Sequence, residues 1–311
     1  MKIYILYIEK YICIHELMKT LLVGIAKLEN KYIREWVEYH LNLGFDYIIL
    51  GDNNNPDGEY LSEPIGDYIQ QGRVGLINCR DNSIMQMEFY QFVYDNYCKD
   101  YDWSMFLDID EFLFFKEDKT VTEYLSRPVF DNFNSIKINW LMMSDNNHLI
   151  NTGEPVLKRF TQPAHDIPMT WSNQPGRKLV MNSFVKSFVR PGIPNTQWDN
   201  APQLIPKTFD NIQLKICNNC GIELDKKYID DTCLDIPDID YTLAYIKHFR
   251  TKTIEEYISN KCQKGWPIVN CNTKEWVQSY LNLGFFFDIN EPTPEKKELA
   301  RQLMEKYDIE L

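Results

Sequence analysis

No run of apolar residues in this 311-residue chain reaches the ~18–20 needed to cross a bilayer, so no transmembrane helix is expected. Positive charge is also short: 33 Lys and Arg face 45 Asp and Glu, a formal net charge of −12. An acidic surface repels nucleic acid and anionic lipid, which argues against a polymerase, a repressor or a polybasic membrane binder; no nucleic-acid partner is expected. A nucleotide diphosphate is still allowed, because a divalent cation supplies positive charge locally. Histidine is scarce, and five are few for the ligand sets of a metal-dependent phosphatase or nuclease. Of eight cysteines only Cys217 and Cys220 form a close pair, with Cys233 downstream. A four-cysteine zinc site needs a second pair, so reduced thiols are expected. Residues 1–17 are rich in Ile and Tyr but broken by Glu9, Lys10, His15 and Glu16, and have no small-residue cleavage site. They are expected to be an extension outside the core fold, with Met18 as the natural start. A membrane-surface strip and an extra strand are the alternatives.

What is present alternates. Residues 20–26 (TLLVGIA) form a short apolar run, as in a strand buried on both faces. Asn30 is expected to cap a helix running to Leu43, with Ile33, Trp36, Val37, His40 and Leu41 on its apolar face and Gly44 as its stop. On that face His40 and Trp36 read as core residues. A strand is expected at 45–50, then the turn cluster GDNNNPDG at 51–58, where Asp57 closes the turn. A helix over 60–71, a strand over 74–78, a helix over 83–98 and a strand over 103–107 follow. Such alternation predicts a mostly parallel sheet with helices on both faces, and a ligand at the carboxyl ends of its strands. Strands are also expected at 135–140, 179–190 and 242–249, loops over 191–240, and helices at 253–263, 273–283 and 294–307.

The sharpest feature is FLDIDEF, residues 106–112. Asp108 and Asp110, at i and i+2 just past a buried strand, project to one side in extended geometry. Two like charges held together need a cation or hydrogen bonds to offset them. Mn²⁺ or Mg²⁺ shared between carboxylates and phosphate oxygens is the common solution.

At this point the chain resembles bacterial family 2-like and family 92 glycosyltransferases. In residues 26–57 the similarity rests on Tyr32, Ile33, Glu35, Trp36, Tyr39, His40, Gly44, Asp52, Asn53 and Asp57. FLDIDEF is similar to the family's D-x-D-E-F block. Trp140 with His148 resembles the next block, although residues 145–147 replace its usual small residues. Residues 186–191 (KSFVRP) resemble a K-S-x-x-R-P stretch, and His248-Phe249-Arg250-Thr251-Lys252 with Glu255, Glu256, Tyr257, Lys261 and Gly265 resembles the final block.

The resemblance implies a GT-A fold: a Rossmann-like, mostly parallel sheet with helices on both faces and a more irregular C-terminal acceptor side. The resemblance runs from about residue 20 to 266, and the termini match nothing in it; with the pattern along the chain, the expected organisation is an extension at 1–17, a glycosyltransferase domain at 18–266 and a helical segment at 267–311 packed on it. The resemblance implies a UDP- or GDP-sugar donor, a glycan or lipid-linked glycan acceptor, Mn²⁺ or Mg²⁺ on Asp108 and Asp110 with His248 as a third ligand or a phosphate contact, and inversion at the sugar carbon. Glu29, Asp52 and Asn53 would lie at the base and ribose. Lys252, with Lys261 and Lys264, would neutralise the diphosphate. For the catalytic base Glu111 and His148 stand ahead of Asp145 and Asp166, since Asp145 departs from the family pattern. A cytoplasmic enzyme of capsule or lipopolysaccharide synthesis, docked on the inner leaflet, is the expected setting. A non-catalytic or decayed transferase scaffold is the alternative. A nucleotidyltransferase is disfavoured, because Lys27-Leu28-Glu29-Asn30 replaces the glycine-rich turn it would use.

Overall fold

The computed structural model describes residues 18–80, 86–146, 148–164, 177–193, 196–199, 203–206, 214–229, 231–262 and 293–307. The segment 1–17, most of the 267–311 segment, the helix at 273–283, Asp166 and Lys264 lie outside the described residues.

Strands β1 (Thr20–Ala26), β2 (Tyr47–Asp52), β3 (Val74–Asn78) and β4 (Trp103–Phe106) run parallel in the order β3-β2-β1-β4. Their side chains alternate between two cores. Leu22, Ile48 and Leu50 face Ile33, Trp36 and Val37 of helix α1 (Asn30–Asn42). Leu21, Val23, Ile49 and Phe106 face Phe89, Tyr90 and Val93 of α3 (Gln86–Asn96). A strand with apolar residues on both faces has to be covered twice, and the two helices do this. Helix α2 (Ser62–Gln70) adds Ile65 to the α1 side.

Beyond β4 the sheet turns mixed. It continues through β7 (Val185–Val189), β6 (Ser135–Met142), β11 (Ala244–His248) and β5 (Glu111–Phe115), with β7 antiparallel to both neighbours and β5 antiparallel to β11. The short β10 (Ile216–Asn218) pairs with the start of β6 and β11 with its end, giving nine strands among the described residues. A separate hairpin joins β8 (Thr196–Asp199) to β9 (Gln203–Pro206). Short helices α4 (Val121–Leu125), α5 (Val156–Arg159) and α6 (Ile254–Glu256) lie between or after the strands, and α6 runs into a π-helical stretch over Tyr257–Cys262. Helix α7 (Pro294–Lys306) packs Ala300, Leu303 and Met304 on Ile254, Tyr257 and Ile258.

The expected α/β architecture with a mostly parallel sheet is present, and several details differ. Asn30 is the first helical residue rather than the cap; Glu29 holds the cap position, and the Asn30 amide instead donates to the Tyr60 carbonyl at 2.9 Å. β2 starts two residues later than expected, because Gly44 (φ +103°) and Phe45 still close α1 through N–H bonds to Leu41 and His40. Only Gly tolerates that backbone angle cheaply. Of the strand expected at 179–190, Val185–Val189 forms the strand and Phe184 adds an isolated bridge to Cys233, while β8, β9 and β10 fall in a stretch expected to be loops.

His40 is a structural histidine. Its Nδ1–H donates to the Trp36 carbonyl at 2.9 Å, and its Nε2 accepts from the Leu113 amide at 3.4 Å, which joins α1 to β5. Burial holds its pKa down at about 3, against the pull of the Trp36 carbonyl. The folded form therefore resists a proton that the unfolded chain takes up near pH 6.5. Stability is full above that value and falls as pH drops toward 3, by about 2 kcal/mol between pH 7 and pH 5 from this group. Urea unfolding at the two pH values should show a smaller difference for His40→Phe than for the wild type.

Candidate active site

Three strand ends and one turn build the site. β4 delivers Leu107 and Asp108 into a turn closed by the Glu111 amide donating to the Asp108 carbonyl at 3.0 Å. From α1 the Trp36 indole N–H reaches the carbonyls of Asp108 (3.1 Å) and Glu111 (2.9 Å). Gly24 in β1 makes room for this: a Cβ there would lie 3.2 Å from both the Trp36 ring and Ile109.

The three carboxylates of the turn meet different surroundings. Asp108 is about one-third exposed; its Oδ2 pairs with Lys186 Nζ at 2.9 Å and its Oδ1 accepts from Gln86 Nε2 at 2.9 Å. Glu111 is fully buried beneath it, with Oε2 accepting the Asp108 amide at 3.1 Å and lying 3.4 Å from Lys186. Burial pushes the Glu111 carboxyl well above the usual range despite the nearby ammonium. Lys186, itself buried in β7, would lose its charge to burial, but Asp108 and Glu111 more than compensate and raise its pKa. Asp110 is buried and lies 3.6 Å from His248 Nε2. Strand pairing brings the two together: His248 is the partner of Glu111 between β11 and β5, and the Phe249 amide donates to the Asp110 carbonyl at 2.8 Å. Trp140 packs edge-on to His248, and Arg250 lies close enough to sense the Asp110 charge.

A divalent cation fits here only in part from protein groups. Among the described residues no set of three His, Cys, Asp or Glu side chains could enclose one. Asp110 and His248 are two candidate ligands on one side, and Asp108 is already paired. Such an arrangement suits a cation that completes its shell with phosphate oxygens, as Mg²⁺ commonly does.

The β1 and β2 ends lie beside this turn. Asp52 is buried and fully engaged: Oδ1 accepts the Asn54 amide, and Oδ2 accepts the Leu61 amide and Arg80 Nη1, each at 3.1 Å. Arg80 also donates to the carbonyls of Asn55, Pro56, Gly58 and Glu59 and stacks on Tyr60, which clamps the whole 52–60 loop. Asn53 donates its amide to Ala26. Leu28 sits at φ +56°, with its amide bonded to Asn54 Oδ1 at 2.7 Å. A leucine in this region is strained, and strain collects at functional turns. Glu29 is buried at the start of α1. Lys252 shares the left-handed backbone (φ +55°), and its Nζ lies 4.4 Å from the centre of the Tyr32 ring.

Behind Lys252 a buried network ties the first and last blocks of the chain. Arg159 makes a two-pronged pair with Glu256, at 2.8 Å on each arm. The Tyr32 hydroxyl donates to the same carboxylate at 2.9 Å, and Thr253 closes a capping box on it. Burial alone would raise the Glu256 pKa, but Arg159 outweighs it and holds the carboxyl low. His148 stands near this network: its Nε2 lies 3.2 Å from the Arg159 carbonyl. Asp145 is engaged by Lys296 of α7, with Nζ to Oδ2 at 2.6 Å and both side chains buried. The CxxC thiols are dispersed, Cys217 toward the Ser135 carbonyl and Cys220 toward Asp240. Burial raises the Cys220 thiol to about 11.

The structure thus brings Asp108, Asp110, Glu111 and His248 together and places Glu29, Asp52, Asn53 and Lys252 around the adjoining strand ends. His148 lies on the side where β6 ends. Sequence reasoning gave no role to Lys186, Arg80 or Arg159. For Lys186 a signal was present: a lysine inside the apolar run VKSFV must find a buried anion.

A catalytic transferase with its acidic turn at the strand ends fits the comparisons with known proteins. Residues 19–264 match the family model for Glycosyltransferase family 92. The chain belongs to this family and is a glycosyltransferase. Among curated proteins there is no match. Solved structures similar to it include S. aureus TarS, at 10% identity and a TM-score of 0.38, covering 93% of this chain and 43% of that one. TarS residues 1–349 give the same identity and score over 93% and 72%. The same fragment in complex with UDP aligns at 12% identity and a TM-score of 0.33, over 43% of this chain and 38% of that one. The chain therefore spans less than half the length of two of these three.

Breaking a buried ion pair by removing one partner costs about 3–5 kcal/mol. Arg159→Met should lower the unfolding free energy by that order in urea titration. The double variant Arg159→Met with Glu256→Leu should recover part of the loss, since no buried charge is then left alone.

Proposed function

We propose that this glycosyltransferase transfers a sugar from a UDP- or GDP-sugar to a hydroxyl of a glycan or lipid-linked glycan, with Mn²⁺ or Mg²⁺ and with inversion, in the synthesis of a bacterial surface polysaccharide. The observation that carries the reading is Asp110, buried at the strand ends and 3.6 Å from His248, beside a turn that Trp36 fixes from behind. Bound there, the cation supplies positive charge to the departing diphosphate. Arg250 and Lys252, on the same segment as His248, add cationic side chains for the phosphates. The strained Leu28 turn and the Arg80-clamped loop form the walls for base and ribose. Asp52 acts in that wall as a brace, because both its oxygens already have donors.

Glu111 holds Asp108 rather than meeting an acceptor, given its full burial. His148 is the better proton acceptor. A backbone carbonyl can only accept, so its Nε2 carries the hydrogen toward Arg159 and its Nδ1 keeps the lone pair. It follows β6, whose end pairs with His248. No helix among the described residues is long and apolar enough to cross a membrane. Action at the cytoplasmic face, docked to lipid-linked acceptor, is part of the same proposal.

Thermal unfolding with a panel of nucleotide-sugars, in Mn²⁺ or EDTA, tests the donor site. One UDP- or GDP-sugar should stabilise the protein by about 2.7 kcal/mol at roughly a hundredfold excess over Kd. The effect should need metal and vanish in Asp110→Ala. A folded protein that responds to no donor with metal present would instead be a scaffold without transfer activity.

A further inference from the structure

We propose that Asn260, in the π-helical stretch after α6, is a positioning residue for the donor pocket: together with Asn54 it pins the left-handed Leu28 turn at the end of β1 in the shape that receives the nucleotide. The proposal rests on the donor reading above and adds how that pocket is held in shape.

Backbone strain marks where a pin is needed. Among the described residues three that are not glycine have positive φ: Leu28 (+56°), Asn146 (+50°) and Lys252 (+55°). Each follows closely on the carboxyl end of a strand, β1, β6 and β11 in turn, and these three strands run in one direction across the sheet. The strain is thus gathered on one edge, the edge at which such sheets bind ligands. Asparagine visits the left-handed region with the help of its own short polar side chain. Leucine has no such group, so its backbone has to be held from outside.

Both backbone groups of Leu28 have such a hold. Its amide donates to Asn54 Oδ1 at 2.7 Å, and its carbonyl accepts from Asn260 Nδ2. Asn54 is buried, and its own amide is fixed by Asp52. Asn260 is buried too, and just before it Tyr257 and Ile258 are packed on Ala300, Leu303 and Met304 of α7. The stretch that carries Asn260 is π-helical, a rare geometry found mostly at functional sites. Without this hold Leu28 relaxes toward negative φ, which reorients the peptide units on either side of it. Helix α1 cannot follow, because Trp36 ties it to the acidic turn, so the change falls on the turn itself. Nucleotide affinity then drops with the fraction of molecules whose turn is still in place.

A double-mutant cycle tests this, read by calorimetric titration of UDP and of GDP into the full chain with Mn²⁺ present. Asn260→Ala should weaken nucleotide binding about tenfold, as when about a tenth of the molecules keep the competent turn. Glycine takes positive and negative φ about equally and needs no pin. In a Leu28→Gly background, whatever that change costs by itself, Asn260→Ala should therefore weaken binding by no more than about twofold further. A loss of the same size in both backgrounds means that Asn260 does not act through the Leu28 backbone, and the proposal fails. It fails as well if Asn260→Ala binds as tightly as wild type. Asn260→Leu, close to asparagine in size and without the N–H, runs the same cycle and decides the matter where circular dichroism shows Asn260→Ala unfolded. If wild type takes neither UDP nor GDP, the donor reading itself falls, and this proposal with it.

Discussion

The indole N–H of Trp36 bridges two carbonyls of the acidic turn, and much else depends on that bridge. Helix α1 cannot shift along the sheet without breaking both of these hydrogen bonds. The same helix holds His40, which fastens β5 by its backbone, and Tyr39, whose hydroxyl donates to the Leu113 carbonyl at 2.6 Å. β5 in turn aligns β11, and β11 ends in His248. One face of one helix therefore sets the turn, the strand after it and the last strand of the core. Glycine at position 24 is the local condition for this, since a side chain there would meet the indole.

Much of the fold could be read from the chain before its structure was known, and the reason is periodicity. β1, β3 and β11 are short apolar or alternating runs with clear ends, and α1 carries its apolar stripe at helical spacing. What was hidden depended on partners far away in sequence. Phe112 to Phe115 is simply an apolar run until β11 lies against it. Ile216–Asn218 is too short to signal a strand and exists because β6 offers it an edge. Around the site, the FLDIDEF motif could be read because charged residues directly after a buried strand are unusual. The commitments of its members could not be read: Lys186 is 78 positions from Asp108, and Arg80 is 28 from Asp52. That Asp52 accepts from Asn54, Leu61 and Arg80 was likewise not legible.

Buried charge is used in two ways here. Arg159 and Glu256 satisfy one another with paired hydrogen bonds and take in Tyr32 and Thr253 as well, so that network acts as a closed brace. The acidic turn is less complete. Glu111 keeps one buried oxygen, Oε1, without a hydrogen-bond partner, and its carboxyl is pushed far from its ordinary range. An incompletely satisfied polar group costs stability. Its presence directly under Asp108, and not in the brace, matches the rule that proteins keep such costs where chemistry is done.

The pairing of β5 with β11 also orders events in time. β5 leaves the ribosome soon after Asp108 and Asp110, but its partner strand is made only near residue 248. At about 5–20 residues per second the interval is on the order of ten seconds. During that interval a nascent chain carries the aspartates without the imidazole and an unpaired strand edge open to wrong partners. Closure by β11 assembles the site and covers the β5 edge that faces the rest of the sheet in the same step, so a chain cut short before that strand would be both inactive and prone to aggregate.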